Sequence, residues 1–498
     1  MATSLRRHVA PRLLQALTVA LLALAVSLHA VRWLFVLLDL GQTEYGEGPL
    51  LAFSRRWTEA PITRAWLSDF PMSLTPYGPT FTWLWKTAIS LAPSADPLLV
   101  GRVLTGVCGV LLIGVVAAAA RQYGRWGVAP LVAALVVISS PIVLQFFGHA
   151  RVDTLASLCV ALAYVAFKPT PARLICAALL VVLGSTIKQT AAMHLIPLAL
   201  VSILAHTRKT GIVFAGAATV FGVLFWAPIL AFRDGFFWTS AVLSNLNVMS
   251  VWQGYEMTYR AISDPSFVVI LVGAWLCVVE RGADALRDRW FMGFFCSLGG
   301  AILLSLKTGS SVNYFIDALW LGSLVVAGVA GRCLETAPWR SRLGVCLASC
   351  IALLPPVVAL QTSKWIPGRA EARLEAIRAA ITPGVTVLAD GHLVGYVERV
   401  KARTLVNDPF VFRLMADDDP RLGTRAAAAL SDSTVVLLDT PIEDRLRENP
   451  LKRSWPLPVL ITISQQFCLT NSMEQLYIYR WRSHSGCAAQ GIPSSGSH

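Results

Sequence analysis

The chain has 498 residues, 55% of them hydrophobic and 14% charged, with a mean hydropathy of +0.61. That apolar load exceeds what a soluble domain buries, so it excludes a purely soluble protein. The formal net charge of +13 does not point to nucleic acid, because no basic cluster is interleaved with aromatics in a soluble segment. It reports topology and contact with an anionic inner leaflet.

A helix crossing the hydrocarbon layer needs roughly 20 apolar residues, since its backbone polar groups must all be bonded internally. Runs of this kind predict about eleven transmembrane helices, at 11–38, 97–119, 126–147, 152–167, 172–186, 190–205, 211–231, 266–280, 290–306, 314–330 and 343–360. The first is longer than a signal-peptide core and is read as an uncleaved helix. Lys and Arg collect in cytoplasmic loops. A cytoplasmic N-terminus puts Arg121, Arg125, Lys168, Arg173, Arg208, Lys209, Arg281, Arg287 and Arg289 inside, and leaves Arg151, Lys188, Arg233, Arg260 and Lys307 in the short outer connections. The long loop 39–96 and everything after about 361 then face outward. The expectation is a polytopic α-helical protein of the plasma (inner) membrane with an extracytoplasmic (periplasmic) C-terminal region.

Loop 39–96 carries aromatic and apolar residues that suit short interfacial helices, and Trp83 and Trp85 read as part of an interfacial belt. Beyond about 361 the pattern becomes globular. "GRAEARLEAIRAAI" has helical spacing, "VTVLAD" and "STVVLLDT" are short β-branched runs, and "EQLYIYRW" alternates like a closing strand. This predicts a transmembrane domain over 1–360 and a soluble α/β domain over 361–498, without a phosphate-binding glycine motif. In "ADGHLVGY", His392 reads as an ordinary exposed loop histidine. Most of the ten cysteines fall in apolar spans. Cys468 and Cys487 lie in the outward tail, where an oxidising compartment would let them pair.

The acids fall in a pattern. Glu44 and Glu47 follow the first span, Asp153 opens the fourth and Asp317 opens the tenth, so all four are expected at one outer surface. Ionisable groups at a membrane are costly and mark substrate paths or chemistry. Arg151, Lys188 and Lys307 lie at the same level, as a phosphate attached to a lipid would require. Asn313 and Tyr314, beside Asp317, offer an amide for hydroxyls and a ring for a sugar face. The four acids could also supply hard oxygen ligands to Mg²⁺ or Ca²⁺.

"TEYGEGPLL", "TPYGPTFTWLW", "ARVDTLASL", "STIKQTA" and "GSSVNYFID", in this order, resemble the motifs of bacterial membrane glycosyltransferases of the GT-C type, relatives of protein O-mannosyltransferases and the lipid A aminoarabinose transferase. The resemblance covers most of residues 30–330. It implies a GT-C fold and a polyprenyl-phosphate-linked sugar as donor on the outer face, with a glycan, glycolipid or protein as acceptor. It requires no cofactor, though a divalent cation is compatible with it. A catalytic acid of the first outer loop matches Glu47, a second acid matches Asp153, and a phosphate-binding lysine matches Lys188. The first acid of these families is usually aspartate, and their Tyr-Pro-Pro is here Tyr77-Gly78-Pro79. The first departure leaves open whether Glu44 or Glu47 is the working base. Polyprenyl phosphate departs without a protonated acid beside it, so one base suffices for inverting transfer. Arg151 and Lys188 would stabilise charge on the phosphate and Asp153 would orient the acceptor. Tyr77, Lys307, Asn313, Tyr314 and Asp317 complete the expected substrate-binding set. The alternatives are a secondary transporter, which would place binding groups near the midplane and often shows repeated halves, and a non-catalytic membrane scaffold. No repeat is visible in the sequence.

Overall fold

The computed structural model describes residues 44–123, 128–246, 248–336, 369–382, 385–448, 453–473 and 475–483, with scattered helical positions between 16 and 38. Five of the described helices are long and apolar enough to cross a membrane: Pro97–Tyr123, Gln189–His206, Arg208–Ala231, Pro265–Arg287 and Val312–Arg332. Four shorter apolar helices accompany them, Ala129–Ile138, Val152–Ala166, Pro171–Ile187 and Arg289–Ser305. These overlie the expected spans between 97 and 330. The expected span at 343–360 lies outside the described residues, and that at 11–38 is described only at scattered positions.

Helix starts follow local chemistry. Asp96 and Asp264 each precede a proline at the first helical position, and their carboxylates accept the orphan N–H groups of Leu98 and Leu99, and of Ser266. Ser140 caps Pro141–Phe146 in the same way and donates its hydroxyl to Asp264 at 2.5 Å, joining two helix ends. The helix Val312–Arg332 is the centre of the bundle, with 89% of its apolar window buried, whereas Arg208–Ala231 buries 6% and is apolar all round, as a lipid-facing helix must be. Trp85 departs from the interfacial reading. It is fully buried, donates its indole N–H to the Pro97 carbonyl and lies across Gly101.

The C-terminal region holds a five-stranded sheet in the order β2-β1-β3-β5-β4, formed by β1 (Thr386–Ala389), β2 (Arg403–Thr404), β3 (Thr434–Leu438), β4 (Phe467–Met473) and β5 (Leu476–Trp481). β1 is parallel to both β2 and β3, while β3-β5-β4 is antiparallel. The runs "VTVLA", "TVVLL" and "LYIYRW" thus fall on strands, and β3 is buried along its whole length, as a central strand covered on both faces requires. Helices cover the sheet, among them Arg369–Ala380, Val394–Arg399, Pro409–Asp418 and Leu457–Gln466. Cys468 is disulfide-bonded, and Cys487 lies outside the described residues.

Sheet and bundle meet at loop 44–96. Just past β2, Val406 bridges to Met72 in parallel register, and the Met72 N–H donates to the Leu405 carbonyl at 2.8 Å. The exposed edge of β2 is therefore covered by the first loop rather than left open. Arg55 reaches Glu398, and Arg399 pairs with Asp96.

Candidate active site

The two first-loop glutamates have different places. Glu47 begins the helix Glu47–Glu59 and is completely buried. Arg102 Nε and Nη2 donate to its two carboxylate oxygens at 2.8 Å each, and the Ala150 N–H donates at 3.0 Å. Arg102, 1% exposed, also donates to the Val36 carbonyl. Glu47 thus neutralises a cation inside the helical bundle. Glu47 is not among the residues that line the outer cavity.

Glu44 does line that cavity, a space of about 350 Å³ bounded by Tyr45, Tyr77, Arg151, Asn245, Lys307, Tyr314, Asp408 and Phe410. Its carboxylate accepts from Arg151 Nη1 at 2.9 Å and from the Gly46 N–H at 2.7 Å. Residue 46 must be glycine for this contact, because a Cβ there would lie 1.9 Å from Arg151 Nη1. Arg151 also approaches the Tyr77 hydroxyl, at 3.4 Å. Lys307 Nζ donates to Asn245 Oδ1 at 2.9 Å, and burial pushes its ammonium down to about 8.

Asp153 lies one step deeper. Lys188 Nζ donates to it at 2.5 Å, Asn313 Nδ2 at 2.8 Å and Arg151 Nε at 3.3 Å. The result is a ladder of alternating charge, Glu44, Arg151, Asp153, Lys188. Asp153 and Lys188 line not the outer cavity but a small inner pocket of about 10 Å³, room for roughly one water. Asp317 is in the same pocket, where it receives His194 Nε2 at 3.1 Å, Ser157 Oγ at 2.5 Å and Trp320 Nε1 at 2.9 Å. Tyr314 lines both spaces, and its ring carries Lys188 Nζ at 4.8 Å.

The structure therefore brings Glu44, Tyr77, Arg151, Lys307 and Tyr314 to one cavity, and gathers Asp153, Lys188, Asn313 and Asp317 behind it. The four acids are distributed among different cationic and polar partners. Among the described residues, no group of three or more His, Cys, Asp and Glu is placed to hold a metal ion.

No family model matches the sequence, and no curated protein matches it. Solved structures do. One is ArnT from Cupriavidus metallidurans bound to undecaprenyl phosphate, at 13% identity over 92% of this chain and 97% of that one, with a TM-score of 0.56. Another is the oligosaccharyltransferase AglB from Archaeoglobus fulgidus in complex with an inhibitory peptide and a dolichol-phosphate, at 13% identity over 91% and 74%, with a TM-score of 0.51. The chain has the GT-C fold.

Several residues of this candidate site were not singled out in the sequence. Arg102 and His194 had a usable signal, an ionisable group inside an apolar run. Asn245 and Asp408 had none. Asp408 reads locally as a helix cap before Pro409, a role it also fills by accepting the Val411 N–H at 3.1 Å.

Proposed function

We propose that this protein is an inverting glycosyltransferase that moves a sugar from a polyprenyl-phosphate donor to an acceptor hydroxyl at the outer face of the membrane. The observation that carries the proposal is the cavity in which the Glu44 carboxylate, Lys307, Arg151 and Tyr77 meet, on a fold shared with two proteins solved with polyprenyl phosphates. Glu44 is assigned the role of base rather than Glu47, because it faces the cavity while both oxygens of Glu47 are committed to Arg102.

In the proposed step the acceptor oxygen attacks the anomeric carbon as its proton passes to Glu44. The bond from that carbon to the phosphate oxygen breaks on the opposite face, releasing polyprenyl phosphate. A base so placed contributes on the order of 10²–10⁴ in rate. Lys307 is the cation best placed to meet the phosphate. Arg151, held by Glu44 and Asp153, keeps one edge of its guanidinium near Tyr77 and fixes the angle of the base. Asp153 and Lys188 act behind this layer, setting the position of Arg151 and Tyr314. No step is routed through a divalent cation, and transfer that persists in EDTA is the expected result.

The test is transfer from a radiolabelled polyprenyl-phosphate sugar to envelope glycolipids by purified protein. Glu44→Gln is expected to lower turnover at least a hundredfold while the protein still binds undecaprenyl phosphate. Near-normal turnover in that variant would remove Glu44 as the base.

A further inference from the structure

The dipeptide Asn407-Asp408 of the C-terminal region touches both arms of the first outer loop. Asn407 is 2% exposed and its amide is fully used. Its Oδ1 accepts the Leu74 N–H at 2.6 Å, and its Nδ2 donates to the Leu74 carbonyl at 2.8 Å and to the Pro49 carbonyl at 3.0 Å. One side chain thereby joins the start of the helix that follows Glu44 to the strand-like segment that leads to Tyr77. Asp408, 4% exposed, accepts the Tyr45 hydroxyl at 3.2 Å, and that hydroxyl accepts the Phe410 N–H at 3.1 Å. Tyr45 is the residue next to Glu44.

The far side of the Tyr45 ring is also occupied. It meets His392 edge-on at a centroid distance of 5.3 Å. A Cβ on Gly391 would come within 1.9 Å of the ring, so the Gly391 backbone packs directly against it. The "ADGH" turn follows β1 and sits beside the end of β3. Tyr45 therefore packs against the turn that follows β1.

We infer that Asn407 and Asp408 are positioning residues for the transfer reaction, which hold Glu44 and Tyr77 in reacting geometry through Tyr45, Pro49 and Leu74. This rests on the function proposed above. The C-terminal region then contributes to the rate of the chemical step, and not only to the choice of acceptor. Displacing a reacting group by about 1 Å can cost 10²-fold in rate, whereas donor binding through Lys307 stays intact.

The experiment compares Asp408→Ala, Asp408→Asn, Asn407→Ala and Tyr45→Phe in the full-length protein. Asp408→Ala and Asn407→Ala are expected to lower kcat by 10- to 100-fold, with less than a threefold change in the Kd for undecaprenyl phosphate. Asp408→Asn keeps an acceptor for Tyr45 and is expected to stay within threefold of wild type. Tyr45→Phe keeps the ring against Gly391 and loses only the hydroxyl, so it tests the contact even where an alanine variant is poorly folded. Combined with Asp408→Ala it should add no further loss. Wild-type kcat in both Asp408→Ala and Tyr45→Phe, or a parallel loss of kcat and lipid binding, overturns the inference. Hydrogen exchange over residues 44–50 gives a readout independent of transfer. It is expected to quicken in Asp408→Ala and Asn407→Ala, and unchanged protection also overturns the inference. Failure of wild type to transfer any sugar sinks the functional reading instead, while the exchange data still decide the positioning role.

Discussion

Glu44 and Glu47 are three residues apart, carry the same functional group and meet opposite environments. Glu47 shares a buried, two-pronged ion pair with Arg102, and removing one member of such a pair strands the other charge, at a cost of about 3–5 kcal/mol. Glu47→Gln is therefore expected to lower the thermal midpoint by several degrees and to reduce membrane yield. Glu44→Gln should leave both near wild type and abolish transfer. Differential scanning fluorimetry in detergent, run beside the transfer assay, separates the two. An unchanged midpoint in Glu47→Gln would contradict the structural role assigned to it. Sequence motifs placed the acids and bases at the correct helix ends, because charge beside an apolar run is visible in a sequence. They could not tell which glutamate has a cation behind it, since Arg102 lies 55 residues away and reads only as an interruption in a span.

The described helices between 97 and 330 were legible because lipid demands long apolar runs. Of the five described strands after 380, β1 and β3 were legible from β-branched clusters and β5 from its alternation, whereas β2 and β4 carried no such signal. What joins these elements was not legible. The covering of the β2 edge by Met72, and the place of Tyr45 against Gly391, arise from residues distant in sequence with no shared pattern. This junction has a pH signature. Burial pushes the Asp408 carboxyl up to about 6, against hydrogen bonds that lower it, with Tyr45 and Arg151 facing it. The unfolded chain releases this proton near pH 4. The folded form holds the proton more tightly, so the stability contributed by this group is complete below about pH 4 and is lost as pH rises through about 6. The change is about 2–3 kcal/mol. Asp408→Asn cannot titrate, so its midpoint should fall less than that of wild type between pH 4.5 and 7. Equal slopes in the two proteins would show that Asp408 does not carry this dependence.

Across the whole molecule, charge separates by end. Arg281 with Asp288, Arg332 with Glu280 and Arg289 on the Phe167 carbonyl lie at the end of the bundle opposite the cavity. By the preference of basic residues for the cytoplasmic side, we propose that the cavity and the sheet face outward. A cysteine replacing exposed Asp418 is expected to react with an impermeant maleimide on intact spheroplasts, and one replacing exposed Arg287 only after lysis. The reverse pattern would invert the proposed topology.

The bonds that brace the first loop span 333 residues between Leu74 and Asn407, and 363 between Tyr45 and Asp408. During synthesis the loop therefore emerges on its side of the bilayer long before its partners leave the ribosome. A nascent chain holds the Glu44 carboxylate without its braces until most of the protein has been made. Completion of the proposed site would thus coincide with arrival of the last hundred residues, and a chain stalled before them would sit in the membrane in an unfinished state.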